Sequence, residues 1–384
     1  MPLRGHNGFS PLIASSPALE SRGIIVLAGN SHPDIVKRVC NHLSIEPGKA
    51  LVCSHSNKET KVEIYETVRG RDVYLIQTGT MDVNNDIMEL LVMAFACRAA
   101  CARRIVVVMP YLPYCKQNKM RKRGSITCKL IAKMICSTGV DHVITMDLHS
   151  KEIQGFFDVP VDNLRASPFL IRYIRESIPD YRNCVIVARS PNGVARATSY
   201  AERLRVALAV IHGVDHEDME QTDGRTSPPI DMNDGSASLS EPADIVSTPA
   251  MEDMMGFLPA LQPKEKPQLY VVGNVNGKIA IIVDDIIDDV GDFVTAAELL
   301  HSQGAYKVYV LATHGLLTGD AANRLEQSLI DEVVVTNTVP HVLQKMQCHK
   351  IRTVDISILL AEAIRRIHNK ESMSYLFMNI PKNE

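Results

Sequence analysis

KIAIIVDDIIDDVGD, Lys278–Asp292, decides the fold. Its opening KIAIIV is a continuous β-branched apolar run, the pattern of a strand buried on both faces of a parallel sheet. Asp284 and Asp285 stand at the carboxyl end of that strand, and Asp288, Asp289, Gly291 and Asp292 form the turn into the next helix. In open α/β sheets ligands bind beyond the carboxyl ends of strands, where N–H groups at a helix start attract phosphate. The stretch is therefore a candidate seat for a phosphorylated sugar. The same residues serve equally well as a solvated strand end with aspartate helix caps, and spacing alone does not separate the two.

Working outward, the chain repeats this strand-then-helix unit. Apolar runs begin at Gly23 (GIIVLAG), Asp72 (DVYLIQTG), Arg104 (RIVVVMP), His142 (HVITMDL), Asn183 (NCVIVA), Val206 (VALAVIH), Lys307 (KVYVLATH) and Asp331 (DEVVVTNT), with amphipathic stretches between many of them. Continuous apolar strands separated by helices predict parallel sheets covered on both faces. The 384 residues exceed what one core comfortably fills, so two tandem doubly wound α/β domains are expected. Residues 1–22 lack periodicity and read as a flexible N-terminal extension. Residues 213–267 are rich in Ser, Pro, Asp and Glu and read as a mobile insertion.

The formal charge of -3 argues against general attraction to nucleic acid or to an anionic membrane, so any polyanion site must be local. The nine cysteines form no CxxC pair and follow no secretory signal, which predicts reduced thiols in a cytoplasmic protein. No apolar run reaches the ~18 residues of a membrane helix.

VDDIIDDVGD resembles the binding signature of phosphoribosyltransferases and phosphoribosyl pyrophosphate (PRPP) synthetases, two acidic residues followed by Asp-Thr-x-Gly-Thr. Asp284, Asp285, Asp288 and Gly291 match it, whereas Asp289 and Asp292 replace both threonines. The likeness to PRPP synthetases continues through SNKETKVEI (from Ser56), ITMDLHSKEIQGFFDVPVDNL (from Ile144), THGLLTG (from Thr313) and EAIRRIHNKESMSYLF (from Glu362). KMRKRGSI (from Lys119), RASPFL (from Arg165) and IIVDDIIDDV (from Ile281) are more similar to the associated proteins of that family than to its active enzymes. The resemblance implies two domains of the type I phosphoribosyltransferase kind, residues 23–165 and 166–361, with a tail from 362 packing back on the first.

PRPP synthetases transfer a diphosphoryl group from Mg-ATP to ribose 5-phosphate, a reaction that depends on positioning and charge neutralisation. Against that pattern, Asp289 and Asp292 are expected to repel the 5-phosphate. In ARSPNGVAR (from Ala188), Ser190 stands for the metal-loop aspartate and Ala195 for its lysine, while Arg196 is retained. His149 remains of the metal pair without its carboxylate, so magnesium is not expected to be held. The lid cations have given way to the acidic insertion. His55, Asn57, Glu59, Lys116 and Gln117 match nucleotide-site positions, and the basic run from Lys116 to Arg123 either meets phosphate or is a solvated loop. Arg69, Ser372 and Ser374 match the family's regulatory anion site, for phosphate or ADP.

The function implied is a non-catalytic, inhibitory regulatory subunit in nucleotide synthesis. It requires no cofactor, associates with catalytic PRPP synthetase subunits and with itself as dimers or hexamers, and binds neither nucleic acid nor membrane. The alternatives are an active ribose-phosphate pyrophosphokinase, favoured by Asp284, Asp285, Asp288 and His149, and a stand-alone phosphate or ADP sensor.

Overall fold

The computed structural model describes residues 23–120, 124–213, 269–377 and 379–381. The expected N-terminal extension, nearly all of the expected insertion, and Arg121–Arg123 lie outside them.

The first sheet contains β1 (Ile24–Ala28), β4 (Asp72–Ile76), β5 (Arg104–Met109), β6 (His142–Met146) and β7 (Val161–Leu164), in that order and all parallel. β2 (Ala50–Ser54) and β3 (Thr60–Ile64) form a separate antiparallel hairpin. Helices α1 (Pro33–Leu43), α2 (Val83–Ala99) and α3 (Thr127–Ser137) cover the sheet. In α1, proline opens the first turn, where its missing N–H costs nothing, and Ile35, Val36, Val39, Cys40 and Leu43 form the buried stripe.

The second sheet is ordered β10 (Tyr270–Val272), β9 (Ala207–His212), β8 (Cys184–Ala188), β11 (Ile279–Ile287), β12 (Lys307–Gly315), β13 (Glu332–Thr336) and β14 (Ile351–Val354). Only β10 runs antiparallel. β7, β10 and β14 are short and were not legible as apolar runs. Helices α4 (Ser167–Ser177), α5 (Val194–Leu204), α6 (Gly291–Ser302), α7 (Ala321–Gln327), α8 (Val342–Gln347) and α9 (Ser357–Asn369) complete the chain. The central strands β8 and β11 are buried almost throughout, as their unbroken apolar runs require.

The two sheets share a core. One contiguous apolar cluster joins Ile35 and Val39 of α1, Leu170 and Ile174 of α4, Leu204 of α5 and Leu360 and Ile364 of α9 with strands of both sheets. α9 packs on α1, and His368 Nδ1 lies 2.9 Å from an Asp72 carboxylate oxygen. The crossing element begins at Ser357, so the expected boundary at residue 361 falls inside a helix.

A polar seam also joins the domains at the carboxyl ends of their strands. Buried His314 reaches the Met146 carbonyl (3.1 Å) and the Thr338 hydroxyl (2.9 Å), and Thr78 donates to the Thr338 carbonyl (2.8 Å). Burial lowers the His314 pKa, so the ring is neutral and one nitrogen accepts while the other donates.

Candidate functional site

The two sheets turn their carboxyl ends toward one another, and Asp284 and Asp285 lie where they meet. The strand register foretells the first neighbour: Ile282 pairs with Val187, so Asp284 and Arg189 both stand two residues further on. Arg189 Nε donates to Asp284 (3.1 Å) and its Nη1 to Asp292 (3.2 Å). Its guanidinium also lies 4.8 Å from the centre of the Phe293 ring, a cation–π contact that fixes its plane. Arg196, in the first turn of α5, donates through Nη1 to both Asp284 and Asp285, at 3.1 Å each.

His149 Nδ1 meets Asp285 Oδ2 at 2.7 Å, across the domain boundary. Asp285 of the second domain is thus its hydrogen-bond partner, while the metal-loop carboxylate that Ser190 replaces is not restored. Burial opposes charge on Asp285, but His149 and Arg196 outweigh it and hold that carboxyl well below the usual range. Burial and the neighbouring Asp285 push Asp284 upward, against the pull of Arg189 and Arg196. Burial works against charge on Arg196 as well, yet Asp285, Asp284 and Asp147 keep it firmly protonated.

Asp289 has the most telling position. One of its carboxylate oxygens accepts from the backbone N–H of Gly291 (3.0 Å), at the start of α6, and from Arg324 Nη1 of α7 (2.9 Å). The N–H that a helix start offers to phosphate is therefore taken by the chain's own carboxylate. Asp288 accepts from the Thr318 hydroxyl, and Lys116 Nζ stands 4.0 Å from it on the first domain.

The expectation that Asp289 and Asp292 present bare like charge to a phosphate is corrected by these contacts. Each faces a guanidinium, and the loop's five carboxylates are met by Arg189, Arg196, Arg324 and Lys116 together with His149. The loop is an ion-paired cluster, and ribose 5-phosphate would have to break ion pairs to enter it.

The remaining sequence-predicted residues are more scattered. Ser190 precedes the short 3-10 turn Pro191–Gly193, and Ala195 is an exposed residue of α5 beside Arg196. His55, Asn57 and Glu59 form the exposed tip of the β2–β3 hairpin, where the Asn57 side chain accepts from the Glu59 N–H. Among the described residues no hydrogen bond or ion pair joins that tip to Lys116 or Gln117. Asp147, two residues before His149 and held at φ 37°, accepts from the Ala166 N–H and the Thr313 hydroxyl.

Ser372 and Ser374 share a hydroxyl contact at 3.0 Å, and the Ser372 hydroxyl accepts from the Ser374 N–H, opening the 3-10 turn Ser374–Phe377. Arg69 has no hydrogen bond or ion pair to either serine among the described residues. Phe377, at the end of that turn, lines a cavity of about 500 Å³ with Lys151, Gln154, Asn163, Arg165 and Ser199 among its walls. Sequence reading did not gather this cavity, although Arg165 lies in the quoted RASPFL. Arg189 was equally within reach through strand register; Arg324, on a separate helix, left no signal.

Two parallel α/β domains with an acidic loop at the facing strand ends define a protein of the type I phosphoribosyltransferase kind. The fold matches a crystal structure of phosphoribosylpyrophosphate synthetase from Mycobacterium smegmatis, with TM-score 0.74 and 30% identity over 91% of this chain and 99% of that one. Residues 24–139 match the N-terminal domain of ribose phosphate pyrophosphokinase, and residues 180–378 match the phosphoribosyl synthetase-associated domain. Phosphoribosyl pyrophosphate synthase-associated protein 2 of Xenopus tropicalis is 57% identical, covering 93% of this chain and 97% of its own length. Protein 1 of Mus musculus is 59% identical, covering 90% and 93%. The chain belongs to the phosphoribosyl pyrophosphate synthase-associated proteins.

Proposed function

We propose that this chain is a non-catalytic, inhibitory subunit that assembles with catalytic PRPP synthetase in the cytoplasm. The observation that carries the reading is the Asp289 carboxylate, which occupies both the Gly291 N–H and Arg324. Where phosphate capture requires free donors, this loop's own carboxylate already engages the Gly291 N–H and Arg324. Magnesium fits poorly for a related reason, because it prefers an octahedron of oxygens and here guanidinium groups and an imidazole hold the Asp284 and Asp285 carboxylates. Among the described residues no three His, Cys, Asp or Glu side chains converge on a metal position.

Relatives named for association with PRPP synthase support the partner, and the fold supports the manner. A chain that keeps the synthetase architecture can take a synthetase's place among like subunits. Phosphate or ADP, bound near Arg69, Ser372 and Ser374, is the proposed regulatory ligand.

PRPP synthesis by the purified chain, then by a mixture with the active enzyme, tests this. No turnover alone, co-elution with the enzyme and lowered activity of the mixture are expected. Turnover of the pure chain within the ~1–100 per second of ordinary kinases would establish the enzyme instead. Separate elution with unchanged synthetase kinetics would leave only the stand-alone sensor.

A further inference from the structure

Four arginines, Arg175, Arg182, Arg203 and Arg205, surround one cavity of about 620 Å³ on the second domain, together with Tyr181 and Leu204. None of them has a carboxylate within 4.0 Å among the described residues; the nearby Glu176 is paired with Arg172. Part of the cluster answers to the fold. Arg175 lies in the last turn of α4, and Arg203 and Arg205 at the end of α5, where cations offset the negative end of a helix. Arg175 Nη2 donates to the Arg203 carbonyl (2.9 Å), and Arg203 Nη1 donates to the Ser167 hydroxyl (3.1 Å).

The magnitudes show that this is not the whole account. Two helix ends supply roughly half a negative charge each, about one unit against four guanidinium groups. On a chain of net charge -3, the four guanidinium groups facing one hollow are more than the two helix ends offset. Planar guanidinium forks match phosphate oxygens, and the partly buried Tyr181 ring offers a flat wall beside them.

We infer that this cavity binds an oligophosphate anion, the phosphate chain of a nucleotide or an inorganic polyphosphate. It is separate from the acidic loop and from the Arg69, Ser372 and Ser374 region, and it does not rest on the proposed subunit role. Arg175, Arg182 and Arg205 are exposed, and Arg175 and Arg203 are held in place by the contacts above.

The sequence contains no tryptophan, so Tyr181→Trp places a single indole reporter at the cavity of the full chain. Titration with inorganic tripolyphosphate is expected to give a saturable emission change. Adding Arg182→Gln and Arg205→Gln should weaken that response about tenfold or more, the loss that one charge-assisted hydrogen bond carries. Adding Arg69→Ala should leave it unchanged. ATP without metal identifies the source: tighter binding than tripolyphosphate means a nucleotide site, and equal or weaker binding means that the phosphate chain alone is read. No saturable change, or equal affinity in the double glutamine variant, would overturn the assignment. The same titration followed by calorimetry on the native chain guards against a defect introduced by the reporter.

Discussion

Arg196 touches two carboxylates that are both largely withdrawn from water, and this makes it the residue on which the acidic centre depends. Removing one member of such a cluster leaves uncompensated buried charge, so Arg196→Ala should lower stability by about 3 kcal/mol at neutral pH. The deficit should shrink as the solution is made acidic. In the variant Asp284, already pushed upward by burial, loses one of its two guanidinium partners and titrates higher still, so protonation favours the folded state. For Asp285 in the native chain the sign is opposite. Its folded pKa lies below the unfolded value of about 3.9, so its stabilisation is complete above that pH and fades as pH falls further. Urea unfolding of both proteins at pH 7 and pH 5 separates the cases, and an equal deficit at both values would contradict the account.

The turn between β11 and α6 shows what an element can hide from a sequence. Its aspartates were legible as replacements for threonines, and the strand that carries them was legible from KIAIIV alone. Apart from Arg189, their partners and those of the strand end were not, because Arg324 arrives from another helix and His149 from another domain. Fold class followed from periodicity, which is local, whereas the site's electrostatics came from long-range contacts that periodicity does not encode. The short strands β10 and β14 escaped for a related reason, having too few residues to show a pattern. The loop's own test is Asp289→Thr with Asp292→Thr, which removes two carboxylates and frees Arg324, the Nη1 of Arg189 and the Gly291 N–H together. Calorimetry should then detect ribose 5-phosphate binding at least tenfold tighter than to the native chain, on the scale of one or two charge-assisted hydrogen bonds of about 1.5 kcal/mol each. Unchanged affinity would mean that the paired aspartates are not what closes this loop.

At the scale of the molecule, the shared core makes the two sheets one thermodynamic unit. Leu360 of α9 is fully buried within it, and Leu360→Ala should cost about 2–5 kcal/mol while unfolding remains a single transition. Calorimetry that resolved two transitions, with only one of them shifted, would show that the domains melt independently.

The seating of α9 on α1 also sets a timetable for biosynthesis. The buried stripe of α1 is made near the start of the described chain, but the helix that covers it starts only at Ser357. At roughly 5–20 residues per second, a ribosome needs about 15–60 s to travel between them. For that interval Ile35, Val39 and Leu43 lack their final cover, so the nascent first domain carries an open apolar face that a holding chaperone would be well placed to occupy.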